Sequence, residues 1–295
     1  MPEPRIPEPR GDGAGERPIR PPAGLHLAEL TAASLERIRE RTPLVHNITN
    51  FVVMNDTANV LLAVGASPVM AHAIDEVRDM VSHAGALVLN IGTLDQAWIE
   101  SMVAAGVEAN RRGVPVVLDP VGAGATPLRN AAVERILNSV RVSLVRGNAG
   151  ELSAIAGLAG QVRGVDSVAA SAPEAAARKV AVRTGGAAVA SGVVDFVADA
   201  DRTAEIANGH PLMGRITGSG CMATALSGAF LAVEPDPFLA GAEAMIAFGI
   251  AGEMAAGISS GPGTFRANLI DAVANLGRAV ILERARAAVR EPQPA

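Results

Sequence analysis

The sequence has no tyrosine, one tryptophan and six phenylalanines among 295 residues. With so few rings, the interior has to be filled by aliphatic side chains, alanine and glycine. Base stacking on single-stranded nucleic acid has little to use, and a net charge of −5 with no basic stripe removes the electrostatic footprint as well. No nucleic-acid partner is expected. There is one cysteine, Cys221. That excludes an internal disulfide and any multi-cysteine metal site, and points to a reducing, cytoplasmic setting. There is one lysine, Lys179, preceded by Arg178 and not by a glycine, so the chain has no Walker A loop. A lone lysine on an expected helix also argues against a protein-kinase site or a pyridoxal Schiff base. The five histidines, His26, His46, His72, His83 and His210, are scattered, with no HExxH and no close pair, which disfavours a nitrogen-ligated metal.

No apolar signal segment opens the chain. Two uncharged stretches, Thr57 to Ile74 and Ile216 to Val233, reach the length of a membrane span. The first carries Asn59, Pro68 and His72, and the second opens on Thr217, Gly218, Ser219 and Gly220. Both read as buried turns and helices, so no membrane partner is expected. Hydrophobic residues at 49% against charged residues at 19% leave ample apolar surface to bury, which excludes disorder for most of the chain.

What is present is an alternation. Residues 1–25, rich in proline, arginine and glycine, read as a disordered extension, and residues 26–290 as one domain. Continuous apolar runs at Ala86–Ile91 and Val114–Leu118 predict strands buried on both faces. Shorter strands are expected at Pro43–Ile48, Pro68–Met70, Val142–Val145 and Ala187–Ala190. Helices are expected at Asn55–Val64, Asp75–Ala84, Asp95–Arg112, Pro127–Asn138, Asn148–Ala156 and Pro173–Arg183, and a mostly helical tail from Cys221. Repeated strand–helix units predict an α/β fold, a mostly parallel central sheet with helices on both faces.

Ligands of open α/β sheets bind beyond the carboxyl ends of the strands. The residues expected there are Asn90, Asp119, Arg146, Asn148, Glu151 and Ser191. Later comes Thr217-Gly-Ser-Gly-Cys-Met-Ala223, small residues running straight into an apolar helix. Glycines let backbone approach a ligand, and free amides at a helix start hold anions. The same string also reads as a plain turn before a buried helix. Gly218-x-Gly220-x-x-Ala223 satisfies a loose dinucleotide fingerprint, but it lies too late in the chain for the first βαβ unit. Asp119 and Glu151 offer hard oxygens suited to Mg²⁺ carried in with phosphate; each also reads as a cap or loop carboxylate.

These segments together resemble the hydroxyethylthiazole kinases of the ribokinase-like superfamily, over about residues 30–285. The strings that carry the resemblance are Pro43-Leu-Val-His-Asn-Ile-Thr-Asn50, Asn55-Asp-Thr-Ala-Asn-Val-Leu-Leu62, Gly65-Ala-Ser-Pro-Val-Met70 and Leu87-Val-Leu-Asn-Ile-Gly-Thr-Leu94. They continue with Leu118-Asp-Pro-Val-Gly-Ala-Gly-Ala-Thr126, Arg146-Gly-Asn-Ala-Gly-Glu151, Asn208-Gly-His210 and Thr217-Gly-Ser-Gly-Cys221. The resemblance implies a single-domain three-layer sandwich and ATP-dependent phosphorylation of 4-methyl-5-(2-hydroxyethyl)thiazole in thiamine salvage. It also implies Mg²⁺ and a homotrimer with active sites at subunit interfaces. Matched positions make Met70, Gly218 and Asn50 thiazole contacts. Arg146, Ser191 and Asn148 fall on the ATP side, and Asp119 and Glu151 where Mg²⁺ and phosphate are arranged. Gly218, Ser219, Gly220 and Cys221 form the catalytic turn, with Cys221 standing where most of the superfamily carries an aspartate base. The chain departs from the family at Ser191-Gly192-Val193, where Thr-Gly-Glu is usual. Rival readings are a kinase for another small alcohol such as hydroxymethylpyrimidine, a non-catalytic thiazole or nucleotide binder, and a dinucleotide oxidoreductase.

Overall fold

Side chains alternate across the central strands, and this fixes the layers. In the computed structural model, which describes residues 23–158 and 172–290, Val88 faces one core while Leu87 and Leu89 face the other. Val117 and Leu144 share the first core; Leu118 and Val145 share the second. Each strand of the sheet's middle is therefore apolar on both sides, as the continuous runs predict.

The first half of the described chain runs α1 (Ala23–Arg41), β1 (Leu44–Ile48), α2 (Met54–Val64), β2 (Ser67–Val69), α3 (Val77–Val81), β3 (Ala86–Asn90), α4 (Gln96–Arg112), β4 (Val116–Asp119), α5 (Pro127–Ser139), β5 (Leu144–Asn148) and α6 (Ala149–Ile155). The second half runs α7 (Ala172–Thr184), β6 (Ala187–Ser191), β7 (Asp195–Ala198), β8 (Thr203–Ile206), α8 (Ser219–Leu231), α9 (Pro237–Ile258), α10 (Pro262–Ala274), α11 (Arg278–Arg284) and β9 (Ala287–Arg290). The sheet order is β2-β1-β3-β4-β5-β6-β7-β8-β9. Pairings from β2 through β6 are parallel, and those from β6 through β9 are antiparallel. One core lies against α1, α2, α8, α9, α10 and α11, the other against α3 to α7. This is the three-layer α/β sandwich expected.

Local signals account for several helix starts. Asp95 accepts from the Trp98 amide at 2.8 Å, Thr126 caps α5 with Pro127 at its first position, and Asp236 caps α9 ahead of Pro237. Helix α9 is 22 residues long and apolar enough to cross a membrane, but 83% of its most apolar window is buried inside the protein. Its apolarity is that of a core helix.

The structure corrects several readings. The helix expected over Asp75–Ala84 is only the turn-and-a-half of α3. The hairpin β7–β8 was not expected, since each strand has four residues. The tail from Cys221 is mostly helical as expected and ends in β9, whose Ala-Ala-Val-Arg sequence favours a helix until pairing with β8 overrides it. The extension expected over residues 1–25 lies outside the described residues up to position 22, and α1 already begins at Ala23.

Candidate active site

The strands β1, β3 and β4 end side by side, and each places one polar residue at its carboxyl end. Asn50 follows β1, Asn90 closes β3, and Asp119 closes β4 opposite Asn90 in register. Asn50 donates through Nδ2 to Asn90 Oδ1 at 2.8 Å, and Asn90 donates to Asp119 Oδ2 at 2.8 Å. Thr224, in the second turn of α8, donates to the same Asp119 oxygen at 2.8 Å. All four side chains are buried. The result is a hydrogen-bonded ladder crossing three strands and ending on a carboxylate. Burial raises the Asp119 pKa to about 6, against the pull of Arg146 and of the Thr224 and Asn90 donors.

Cys221 joins the ladder from α8. Its Sγ accepts from Asn50 Nδ2 at 3.6 Å. Burial first, and then the nearby Asp119 charge, push its thiol up to about 11. This environment works against the base role implied by the position of Cys221, because it keeps the sulfur a protonated thiol at neutral pH.

The turn before α8 is set by contact. Gly218 caps the helix with φ of +82°, a left-handed conformation, and a Cβ there would lie 2.7 Å from Val53 Cγ1. A Cβ on Gly220 would lie 2.7 Å from Arg146 Nη1. The first bond inside the helix runs from the Met222 amide to the Gly218 carbonyl at 2.8 Å. The amides of Ser219, Gly220 and Cys221 precede it and remain available for an anion.

On the Arg146 side lies an open cavity of about 530 Å³. Arg146, Ser191, Asp195 and Ser219 give it polar walls, and Met245 and Phe248 an apolar one. Ser191 Oγ donates to the Gly147 carbonyl at 3.2 Å. Asp195, a residue the sequence reading missed, accepts from the Gly192 amide at 2.9 Å and has its pKa raised by burial to about 6. The cavity is of a size for a small-molecule ligand.

The remaining expected residues are placed as follows. Asn148 and Glu151 form a capping box on α6: Asn148 Oδ1 accepts from the Glu151 amide at 2.9 Å and Glu151 Oε2 from the Asn148 amide at 2.8 Å. Glu151 Oε1 accepts from the Gly122 amide at 2.8 Å. Asn148 is not among the residues lining the cavity, and its Oδ1 is engaged in the cap. Glu151 fixes the turn after β4, next to Asp119. Met70 follows β2 and makes no hydrogen bond to the ladder among the described residues. The segments that follow Met70 and Asn50 meet at one ring: His72 stacks on Trp98 at 4.3 Å and Phe51 meets the same ring edge-on at 4.7 Å. His46, buried in β1, donates through Nε2 to the Ala71 carbonyl at 2.7 Å and holds that segment in place.

Thr224 was also missed. Its signal was faint but readable: a hydroxyl one helical turn after Gly220, in a helix otherwise almost wholly apolar.

Comparison with known proteins bears on this geometry. The model of the hydroxyethylthiazole kinase family matches residues 35–279. A hydroxyethylthiazole kinase from Desulfosudis oleivorans is 51% identical over 271 residues, covering 91% of this chain and 98% of that protein. One from Rubrobacter xylanophilus is 54% identical over 245 residues, covering 82% of this chain and 91% of its own length. The solved hydroxyethylthiazole kinase structure from Pyrococcus horikoshii OT3 superposes with a TM-score of 0.83 at 45% identity, over 89% of this chain and 99% of that one. A pyridoxal kinase from Staphylococcus aureus shares the fold, with a TM-score of 0.58 at 14% identity over 85% of this chain and 99% of that one. With the ladder, the glycine turn and the family match in agreement, this chain belongs to the hydroxyethylthiazole kinase family.

Proposed function

We propose that this chain transfers the γ-phosphoryl group of ATP to the hydroxyl of 4-methyl-5-(2-hydroxyethyl)thiazole, a salvage step toward thiamine. The observation that carries the reading is the position of the α8 amino end. It stands between a buried polar ladder on one side and a cavity walled by Arg146 on the other.

Phosphoryl transfer depends on positioning and on stabilising charge more than on a strong base. The amides of Ser219, Gly220 and Cys221 face the phosphoryl oxygens, where charge builds, and the dipole of α8 adds to them. Arg146 supplies a fixed cation beside Gly220. Asn50 and the Cys221 thiol hold the acceptor oxygen, with Met70 against the thiazole. Asp119, ionised at neutral pH with a pKa of about 6, takes up the hydroxyl proton late in transfer.

Among the described residues no three acidic, histidine or cysteine side chains form a metal cluster. The pair Asp119 and Glu151 suits Mg²⁺, which needs one or two carboxylates and completes its shell with water and phosphate. Asp119 would hold it through water at Oδ1, since Thr224 and Asn90 both use Oδ2. Glu151 would hold it through water, because backbone amides already take both its oxygens. Bound there, Mg²⁺ supplies neutralisation of phosphate charge.

Exposed Phe51, Val52, Leu62 and Ile74 lie on the elements around Asn50 and Met70. This apolar rim supports the homotrimer with sites at subunit interfaces. One free thiol fits a cytoplasmic enzyme.

The test is a coupled ADP-release assay with ATP and Mg²⁺, comparing the thiazole alcohol with hydroxymethylpyrimidine. Turnover of the thiazole alcohol at least tenfold faster supports the reading. The reverse preference, or no ADP above background, sinks it. Light scattering at working concentration checks the trimer.

A further inference from the structure

The cavity beside Arg146 is closed on one side by the segment after β8, which carries Asn208, Gly209, His210 and Met213. What holds this wall is not in the cavity. Glu253, on α9, accepts through Oε1 from the Gly209 amide at 2.8 Å, from Asn208 Nδ2 at 3.1 Å and from Arg286 Nη2 at 2.7 Å. Its Oε2 accepts from Arg286 Nη1 at 3.2 Å. Arg286, just before β9, also donates through Nη2 to the Ala207 carbonyl at 2.7 Å and through its amide to Asn208 Oδ1 at 2.8 Å. Asn208 Nδ2 donates onward to the Arg284 carbonyl at 2.8 Å.

A second observation, independent of these bonds, concerns the helix behind the wall. A Cβ on Gly249 would lie 2.6 Å from Asn208 Cβ, and one on Gly252 would lie 2.5 Å from Met213 Sδ. Positions 249, 252 and 253 share one face of α9. That face offers bare backbone at two points and a carboxylate at the third, so the wall lies flush on the helix and is then bonded to it. Burial works against the charged form of Glu253, but Arg286 and the Gly209 and Asn208 donors outweigh it and hold the group below the usual carboxylate range. The carboxylate therefore stays ionised and bonded throughout the neutral range.

We propose that Glu253 and Arg286 are positioning residues for the nucleotide: they lock the Asn208–Met213 wall, and through it the C-terminal strand serves ATP binding. This rests on the reading that the cavity takes ATP. Neither residue lines the cavity, so their effect on nucleotide must pass through the wall. A wall misplaced by about 1 Å is enough to change binding or rate strongly.

The experiment compares Glu253→Gln, Arg286→Met and Arg286→Lys with Arg146→Ala, which acts inside the cavity, and Arg290→Ala, which breaks only the Arg290–Glu205 ion pair (2.5 Å) between β8 and β9. Expected are an ATP KM raised about tenfold in Glu253→Gln and Arg286→Met, equivalent to ~1.4 kcal/mol, and a thiazole-alcohol KM within about twofold of the parent. The double variant should be no worse than either single, because the two act as one unit. Arg286→Lys should recover part of the loss, and Arg290→Ala should change neither KM. If Arg286→Met does not fold, Glu253→Gln, which keeps the side-chain volume, carries the test alone. Folded variants with unchanged ATP KM, or with both KM values raised in parallel, overturn the positioning role. If Arg146→Ala also leaves the ATP KM unchanged, the nucleotide lies elsewhere and the functional reading falls with it. If Arg146→Ala raises the KM while Glu253→Gln does not, only the positioning role is lost.

Discussion

Two polar regions meet at the start of α8, and they are built in opposite ways. In the ladder, Asn50, Asn90, Asp119 and Thr224 are buried and each is bonded to the next. In the cavity, Arg146, Ser191 and Asp195 line about 530 Å³ of open space. The ladder has its partners within the chain, so its geometry is settled before any ligand arrives, which is what low-reorganisation catalysis requires. The cavity presents groups whose best partners come from outside. Under the proposed function, the saturated network would face the small alcohol and the open cavity the triphosphate.

The hardest blow to this contrast is Gly220→Val. The new side chain has to displace the Arg146 guanidinium from 2.7 Å away and crowd the first-turn amides. A fall in kcat/KM on the order of 10²–10³ is expected, in line with losing a phosphate-facing donor. Steady-state kinetics with ATP varied checks it, and near-parental turnover would separate the turn from the chemistry.

Asp119→Asn tests the ladder. Turnover should drop about 100-fold. Stability should move the other way. The folded pKa of about 6 lies above the ordinary 3.8, so the fold binds the proton more tightly than the unfolded chain does. Stability from this group is then fullest below pH 3.8, falls as pH rises towards 6, and stays reduced above that. At pH 7.5 the asparagine variant is expected to be more stable by up to ~3 kcal/mol, with the gain vanishing near pH 4. Urea melts of the ligand-free protein at both pH values measure this. A variant less stable at pH 7.5 would show that the ladder needs the charge to fold.

Cys221 sharpens the comparison from the other side. A thiol pushed from 9.0 to about 11 carries roughly 100-fold less thiolate at pH 8. Iodoacetamide should modify it far more slowly than it modifies the same residue in urea. Cys221→Ser should keep turnover within about tenfold, while Cys221→Leu, which crowds the acceptor oxygen, should abolish it. Fast alkylation of the folded protein would restore the base role.

The smallest effect is expected at Ser191. Its hydroxyl makes one 3.2 Å bond to Gly147 at the cavity rim. Ser191→Ala should raise the ATP KM about two- to threefold and leave the alcohol KM alone.

How much of this could be read from residue order differs between the same two regions. The ladder's strand-end members Asn90 and Asp119 are legible because each is the first polar residue after a continuous apolar run, and parallel strands bring those ends together. The glycine turn is legible for a related reason: small residues ahead of a long apolar helix leave amides bare. Thr224 and Asp195 were not, because the first is hidden one turn inside a buried helix and the second opens a four-residue strand too short to show a period. Asn148 and Glu151 carry a local signal as well. Their three-residue spacing is the signature of a capping box, which occupies Oδ1 of the asparagine expected on the nucleotide side. The antiparallel end of the sheet was invisible because β9 is made of helix-favouring residues whose conformation is decided by β8.

Scarcity of rings has one practical consequence. Trp98 is the only indole in a chain without tyrosine, and it is clasped by His72 and Phe51, two neighbours of the segments that bear Met70 and Asn50. Ultraviolet emission from this protein therefore comes from one spot, beside the place where the small alcohol is expected to dock, and needs no attached dye to follow its arrival.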